Sequence, residues 1–131
     1  MHLNSHANTK TTITSLLQFS HQLIQYVDSL LMSGVGIGVS QFRILGALQQ
    51  KPRCTQQELA QTLAQTEASI SRQVKILQAR HLITIHQRPE DKRARSLVLT
   101  PRGRDITESA TSLLSEQHNA ILAQLSDVSS T

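Results

Sequence analysis

Leu82-Ile-Thr-Ile-His86 and Ser96-Leu-Val-Leu-Thr100 are two short runs of Ile, Val, Leu and Thr. Between them lie Gln87-Arg-Pro-Glu-Asp-Lys-Arg-Ala-Arg95, which carry all the formal charge of the stretch. β-branched runs bounded by polar, turn-forming residues read as strands, and two of them joined by a charged tip read as a hairpin. The chain on both sides of this hairpin has a different period.

Upstream, Thr66 offers an N-cap for a helix running to about Arg80, with Ile70, Val74 and Leu77 on its inner face. Before it, Thr55-Gln-Gln-Glu58 forms a capping box that opens a short helix with Leu59, Ala60 and Leu63. Ser40 is the expected N-cap of another helix with Phe42, Ile44, Leu45 and Leu48, which stops at Lys51-Pro52. Three helices and then a β hairpin are the order of a winged helix-turn-helix. Downstream, Thr100-Pro101 restarts a helix with Ile106, Ala110, Leu113, Leu114, Ile121, Leu122 and Leu125 on one stripe. At the other end, Ile13, Leu16, Leu17, Leu23, Ile24, Val27, Leu30 and Leu31 follow the same period, and Phe19 and Tyr26 widen the stripe. Gly34-Val-Gly-Ile-Gly38 closes that helix. A phosphate cradle needs a strand before such a loop and Lys-Ser/Thr after it, so this one reads as a connector.

The expected fold class is therefore mainly α with a small β hairpin. Residues 1–10 are expected as a disordered tail and 11–131 as one domain. Within that domain, 40–100 form the winged-helix lobe, and 11–33 and 101–126 form flanking dimerisation helices. The stripes of those two helices exceed what one lobe can cover. Leu16, Phe19, Leu23, Leu113, Ile121 and Leu125 are thus expected at an interface with a second copy.

Composition agrees. At 131 residues the chain suits one domain. Aromatics make up only 2% of it, which fits a core of aliphatic side chains at helical spacing. No apolar run approaches the roughly 20 residues of a membrane span, and the polar N-terminus does not resemble a signal peptide. The single Cys54 forms no internal disulfide framework, and the expected location is the reducing cytoplasm. The net charge of +4 is unevenly placed. Residues 72–104 hold nine Lys/Arg and two acids, while the rest of the chain is net acidic. A localised basic block points to a polyanion, most often nucleic acid.

In a helix-turn-helix the second helix enters the major groove, and its N-terminal residues meet bases and phosphates. Thr66, Ser69, Ser71, Arg72, Gln73 and Lys75 lie outward or on the flanks of that helix here. Hydroxyls, a guanidinium, an amide and an ammonium are the groups that bond phosphate oxygens and base edges. An ordinary solvated helix face has the same composition. The hairpin tips the balance, because Arg88, Lys92, Arg93 and Arg95 sit on a thin element directly downstream. Such an element suits the minor groove, whose negative potential favours Arg. Asp91 is expected to pair with a neighbouring Arg and fix its direction.

Ser40-Gln-Phe-Arg-Ile-Leu45, Glu58-Leu-Ala60, Ser69-Ile-Ser-Arg72, Leu77 and above all Pro89-Glu-Asp-Lys-Arg-Ala-Arg-Ser-Leu-Val-Leu-Thr-Pro-Arg-Gly103 resemble the MarR family of transcriptional regulators. The resemblance covers about residues 12–126. It implies a homodimer on a pseudo-palindromic operator, usually a repressor released by a small molecule or oxidant. By position it implies Ser69, Ser71, Arg72 and Lys75 in the recognition helix, Arg93 in the minor groove and Asp91 as its orienting partner. Departures are Ala64 and His81, where the family commonly has Gly, and Gln65, where an apolar residue is common. The chain also ends at Thr131, where the family continues into a last helix of the dimer interface.

No cofactor is expected. The six His are scattered and do not repeat the paired spacing of the family's zinc sensors. Cys54 precedes the Thr55 cap, where a helix N-terminus can lower a thiol pKa; an inert thiol is the plainer reading. No HExxH, GxSxG or Walker pattern suggests an enzyme. The function expected is a sequence-specific DNA-binding regulator with double-stranded DNA, a second copy and a possible small-molecule effector as partners, and no membrane. The alternative is a winged-helix module that has lost DNA binding and docks a protein.

Overall fold

A computed structural model describes the backbone of residues 2–88 and 90–129 and the side chains of 8–87, 90 and 95–124. The order is α1 (His2–Val35), α2 (Val39–Gln50), α3 (Gln56–Leu63), α4 (Glu67–Ala79), β1 (Ile83–Arg88), β2 (Asp91–Leu99), α5 (Pro101–Glu116) and α6 (His118–Ser129). Helices α2, α3 and α4 and the hairpin form a lobe. Helices α1, α5 and α6 pack together beside it.

One core joins the two parts. Ile44, Leu45 and Leu48 of α2 meet Leu59 of α3, Ile70, Val74 and Leu77 of α4, and Ile83, Leu97 and Leu99 of the hairpin. Leu31 of α1, Ile37 of the following loop and Ala110 of α5 are buried in the same cluster. Aliphatic side chains at a 3.6-residue period on the helices and a two-residue period on the strands converge on one volume. The hairpin shows the alternation directly: Ile83 pairs with Leu99 and Ile85 with Leu97, facing inward, while Thr84 and His86 lie exposed between them.

The helix starts follow the cap chemistry at three positions. Thr55 Oγ1 accepts from the Glu58 N–H at 3.1 Å and Thr66 Oγ1 from the Ser69 N–H at 3.1 Å. Thr100 Oγ1 accepts from the Gly103 N–H at 2.9 Å, with Pro101 at the first helical position. At the Thr55 cap the hydroxyl also donates to Glu58 Oε1, 3.3 Å away.

Four expectations are corrected. First, α1 begins at His2, so residues 2–10 extend the helix in place of a tail. Neither Pro nor Gly precedes Gly34, and a nucleated helix adds residues at little cost. Second, α2 is capped at Gly38, and Ser40 lies inside the helix. The N–H of Val39 bonds instead to Asp28 Oδ1, a partner on α1 that no local pattern announces. Third, the strands are longer than the apolar runs. They reach Arg88 and resume at Asp91, with a bulge between Gln87 and Arg88, so most of the expected loop is strand. Backbone pairing continues where burial ends. A further bridge was unforeseen: Cys54 pairs with Leu97, whose N–H donates to the Cys54 carbonyl at 2.7 Å. Fourth, the C-terminal stretch is two helices broken at Gln117, with α6 packed on α1. Ser115-Glu-Gln-His118 contains no Gly or Pro to mark the break.

His81 and Ala64 take left-handed backbone angles, φ 60° and 53°, as does Arg53 at 65°. The first two are the positions where the sequence departs from the expected Gly, so the conformation is kept without the residue that favours it. In the middle of α2, a Cβ at Gly46 would meet nothing within 4 Å. Gly46→Ala is accordingly expected to stabilise the protein by about 0.5–1 kcal/mol, read as a higher urea midpoint at fixed protein concentration.

Candidate nucleic-acid interface

The site starts at the α3–α4 turn. Helix α3 ends on Ala64 in the left-handed conformation, and the Gln65 N–H returns to the Ala60 carbonyl at 2.9 Å. This closes α3 and turns the chain within three residues into the Thr66 cap. The buried face of α4, Ile70, Val74 and Leu77, fixes its rotation about its own axis. Arg72 and Lys75 are then exposed, with Thr66 at the exposed N-terminus. Ser69, Ser71 and Gln73 are half-buried on the flanks. The hydroxyl of Ser69 donates to Gln65 Oε1 at 3.4 Å, a long bond that leaves its lone pairs available. Arg72 and Lys75 form no ion pair among the described residues, so their charge faces solvent uncompensated.

One cation went unremarked in the sequence. Arg43 of α2 is exposed, and its Nη2 lies 3.4 Å from the Leu63 carbonyl at the end of α3. That places a guanidinium beside the helix-turn-helix turn. Its outward position between Phe42 and Ile44 was readable, but its neighbour twenty residues on was not.

Helix α4 runs directly into β1. Leu82, buried, returns its N–H to the Leu77 carbonyl at 3.0 Å and so closes the end of the helix. The hairpin is therefore held against the same lobe as α4. Arg95 is exposed and pairs across the ladder with Gln87. The side chains of Arg88, Asp91, Lys92 and Arg93 lie outside the described residues, and the Asp91 orienting role stays an expectation.

Residues 35–94, which contain this helix-turn-helix and most of the hairpin, match a protein-family model described as MarR family. The chain is matched over 60 of its 131 residues. Its structure has a MarR-family transcription-regulator fold. A probable transcriptional regulator from Pseudomonas aeruginosa is 28% identical, with a TM-score of 0.70 over 79% of each chain. A mutant of S. aureus MepR bound to an oligodeoxyribonucleotide is 26% identical, with a TM-score of 0.65 over 83% of this chain and 80% of that one. A mutant of E. coli MarR complexed with operator DNA has a TM-score of 0.72 at 24% identity, over 84% of this chain and 81% of that one. No curated protein matches this chain.

Two other regions complete the molecule. On α1, Ile13, Leu16, Leu17 and Ile24 are each more than half exposed, and on α6 Leu122 is also exposed. Phe19, Leu23, Leu113 and Ile121, expected at an interface, are already half-buried within the chain. Leu113 fills the space over Gly34, where a Cβ would overlap it. Leu125 lies outside the residues whose side chains are described. Where α5 meets the lobe, a cleft of about 510 Å³ is lined by Phe42, Gly46, Ala47, Leu59, Leu63 and Thr111, among others. Cys54 lies at its edge, buried, with its thiol donating to the Lys51 carbonyl at 3.2 Å. Among the described residues no three His, Cys, Asp or Glu side chains converge on a metal position, and no single helix is long and apolar enough to cross a membrane.

Proposed function

We propose that this protein is a homodimeric, sequence-specific DNA-binding regulator of the cytoplasm, acting as a repressor on a pseudo-palindromic operator. The observation that carries this reading is the pairing of two features on one rigid lobe. Arg72 and Lys75 stand exposed on the outer face of α4, without an ion pair among the described residues, and a basic hairpin begins where α4 ends. Two MarR-fold neighbours described in complex with nucleic acid support it. In this reading Thr66, Ser69, Ser71, Arg72, Gln73 and Lys75 face the major groove. Arg88, Lys92, Arg93 and Arg95 belong to the wing, and Asp91 orients one of the wing arginines. Phosphate contacts supply affinity and position, and α4 supplies base readout. Selection of duplexes from a randomised pool, followed by footprinting, tests it. Two protected half-sites about 10 base pairs apart are expected. A chain that selects no sequence and binds no duplex removes the reading in favour of the protein-docking alternative.

The second copy is proposed to cover the α1 stripe. Ile13, Leu16, Leu17 and Ile24 fall on one side of the helix at exposures of 52%, 57%, 68% and 53%, an apolar band unusual on a monomer. Sedimentation at micromolar concentration should give a dimer; a monomer contradicts the dimeric arrangement. A small-molecule effector is proposed for the cleft beside α5, whose floor is apolar and whose only aromatic lining residue is Phe42. A panel of aromatic acids is expected to raise the melting temperature and weaken DNA binding together. A panel that moves neither contradicts the ligand response.

A further inference from the structure

Two helix ends in this fold are neutralised from a distance. The last turn of α1 has no basic residue of its own. Gly36, at φ 73°, returns its N–H to the Leu31 and Met32 carbonyls, and its own carbonyl accepts from Arg80 Nη1 at 2.8 Å. Arg80 is the residue that ends α4, forty-four positions along the chain. The first turn of α2 has no acid of its own either. Its Val39 N–H is met by Asp28 Oδ1 at 2.8 Å, from α1. A cation at a helix C-terminus and an anion at an N-terminus are each favourable, and a neighbouring residue in sequence supplies that as well as a distant one. What a distant one adds is a fixed geometry between two elements. Here the three-residue connection between α1 and α2 is gripped from α1 by Asp28 and from α4 by Arg80, with Ile37 buried between them.

The other connection between lobe and outer helices ends at the same place. The Thr100 hydroxyl donates to the His81 carbonyl at 2.7 Å, and the Thr100 N–H to the Leu82 carbonyl at 3.1 Å. Residues 80–82 therefore receive the end of α1 through Gly36 and the start of α5 through Thr100. The C-terminal end of α4 is mounted on both outer helices at once.

We propose that Arg80 and Asp28 are positioning residues that fix the angle of α4 against α1, and hence the separation at which two copies reach their half-sites. The proposal rests on the dimeric DNA-binding reading above. Neither residue needs to touch DNA. In a dimer the second half-site is bound at an effective concentration set by geometry, so a loosened mount lowers affinity only where both half-sites are engaged.

The test uses the full-length protein and the duplexes selected by the wild type, remade with the half-site separation changed by one and two base pairs in each direction, plus a single half-site duplex. Wild type is expected to show a sharp optimum. Arg80→Ala should lose about tenfold at that optimum, flatten the spacing profile, and stay within about twofold on the single half-site. Arg80→Lys, which can still donate to the Gly36 carbonyl, should restore much of the optimum. Asp28→Ala should flatten the profile and Asp28→Asn, which keeps an acceptor oxygen, should not. Single half-site binding also reports that each variant is folded. An unchanged profile in both Ala variants overturns the proposal. So does an equal loss for Arg80→Ala at every spacing and on the single half-site, since that is the signature of a direct phosphate contact. A wild type that binds DNA with no spacing optimum, or binds none, removes the operator reading itself and the proposal with it.

Discussion

Gly103→Ala should destabilise the protein by about 3 kcal/mol or more, the upper end of what overpacking costs. Gly103 is buried in the first turn of α5. A Cβ there would overlap the Leu82 carbonyl oxygen and lie 2.9 Å from its carbon. The obstacle is backbone, which has no rotamer to change. It is also held on both sides. Leu82 has its side chain fully buried, its N–H tied to Leu77 and its carbonyl tied to the Thr100 N–H. Moving α5 outward instead would stretch the Thr100 bonds to His81 and to Gly103, and would disturb Thr107, whose buried hydroxyl donates to the Gly103 carbonyl at 2.6 Å. Ala is the better helix former by about 1 kcal/mol, which is too little to offset that. Urea unfolding of the two proteins at one concentration measures it. A midpoint for Gly103→Ala equal to or above the wild-type value contradicts the close packing of α5 on the start of the hairpin.

Gly103 also shows where the sequence was legible. Thr100-Pro101 announces the start of α5 through ordinary cap chemistry, and the Leu-Thr-Pro-Arg-Gly pattern marks the position by resemblance. Neither gives the reason for the glycine, because the atom it must avoid is twenty-one residues earlier. The same division runs through the fold. Thr55, Thr66, the Ile70–Val74–Leu77 stripe and the alternation of Ile83, Ile85, Leu97 and Leu99 are local signals, and each is where the pattern placed it. Asp28 capping α2, Arg80 on Gly36, Arg43 beside Leu63 and Cys54 paired with Leu97 join residues eleven or more positions apart. Periodicity and caps carry no information about such pairs. The misplaced boundaries have a related cause. Polar residues 2–10 and 87–95 lack an apolar period, yet hydrogen bonding propagates into them from neighbouring elements. For the candidate site, the residue types and their helix were readable. The exposure of Arg72 and Lys75 and the partial burial of Ser69, Ser71 and Gln73 needed the packing of α4 on the core.

Arg72→Ala carries the largest expected functional effect. A base contact of this kind is worth about 1–3 kcal/mol, and a two-fold symmetric complex uses it twice, so affinity for the selected duplex should fall by roughly thirtyfold or more. The loss should be concentrated on the preferred sequence, with binding to random duplex changed much less. Ser69→Ala should act in the same direction and more weakly, because its hydroxyl is half-buried and shared with Gln65. Neither change touches the inner face of α4, so unfolding midpoints should match wild type. Repeating the duplex selection with Arg72→Ala should return a more degenerate site. An unchanged preferred sequence with unchanged affinity contradicts the placement of this face of α4 against base edges.

The central claim is that the α4 face and the hairpin together grip DNA, and a salt titration of binding tests it most directly. A dimer neutralising about eight to ten phosphates should give a log–log slope of affinity against salt of roughly −7 to −9 on the selected duplex. Removing Arg93 from both copies should weaken binding to every duplex and make the slope shallower by about two units, since each lost phosphate contact removes about one. Arg72→Ala should lower affinity on the preferred sequence far more than it changes the slope. A wild-type slope near zero, or a slope and affinity untouched by Arg93→Ala, contradicts the account and leaves a winged-helix lobe whose partner is a protein.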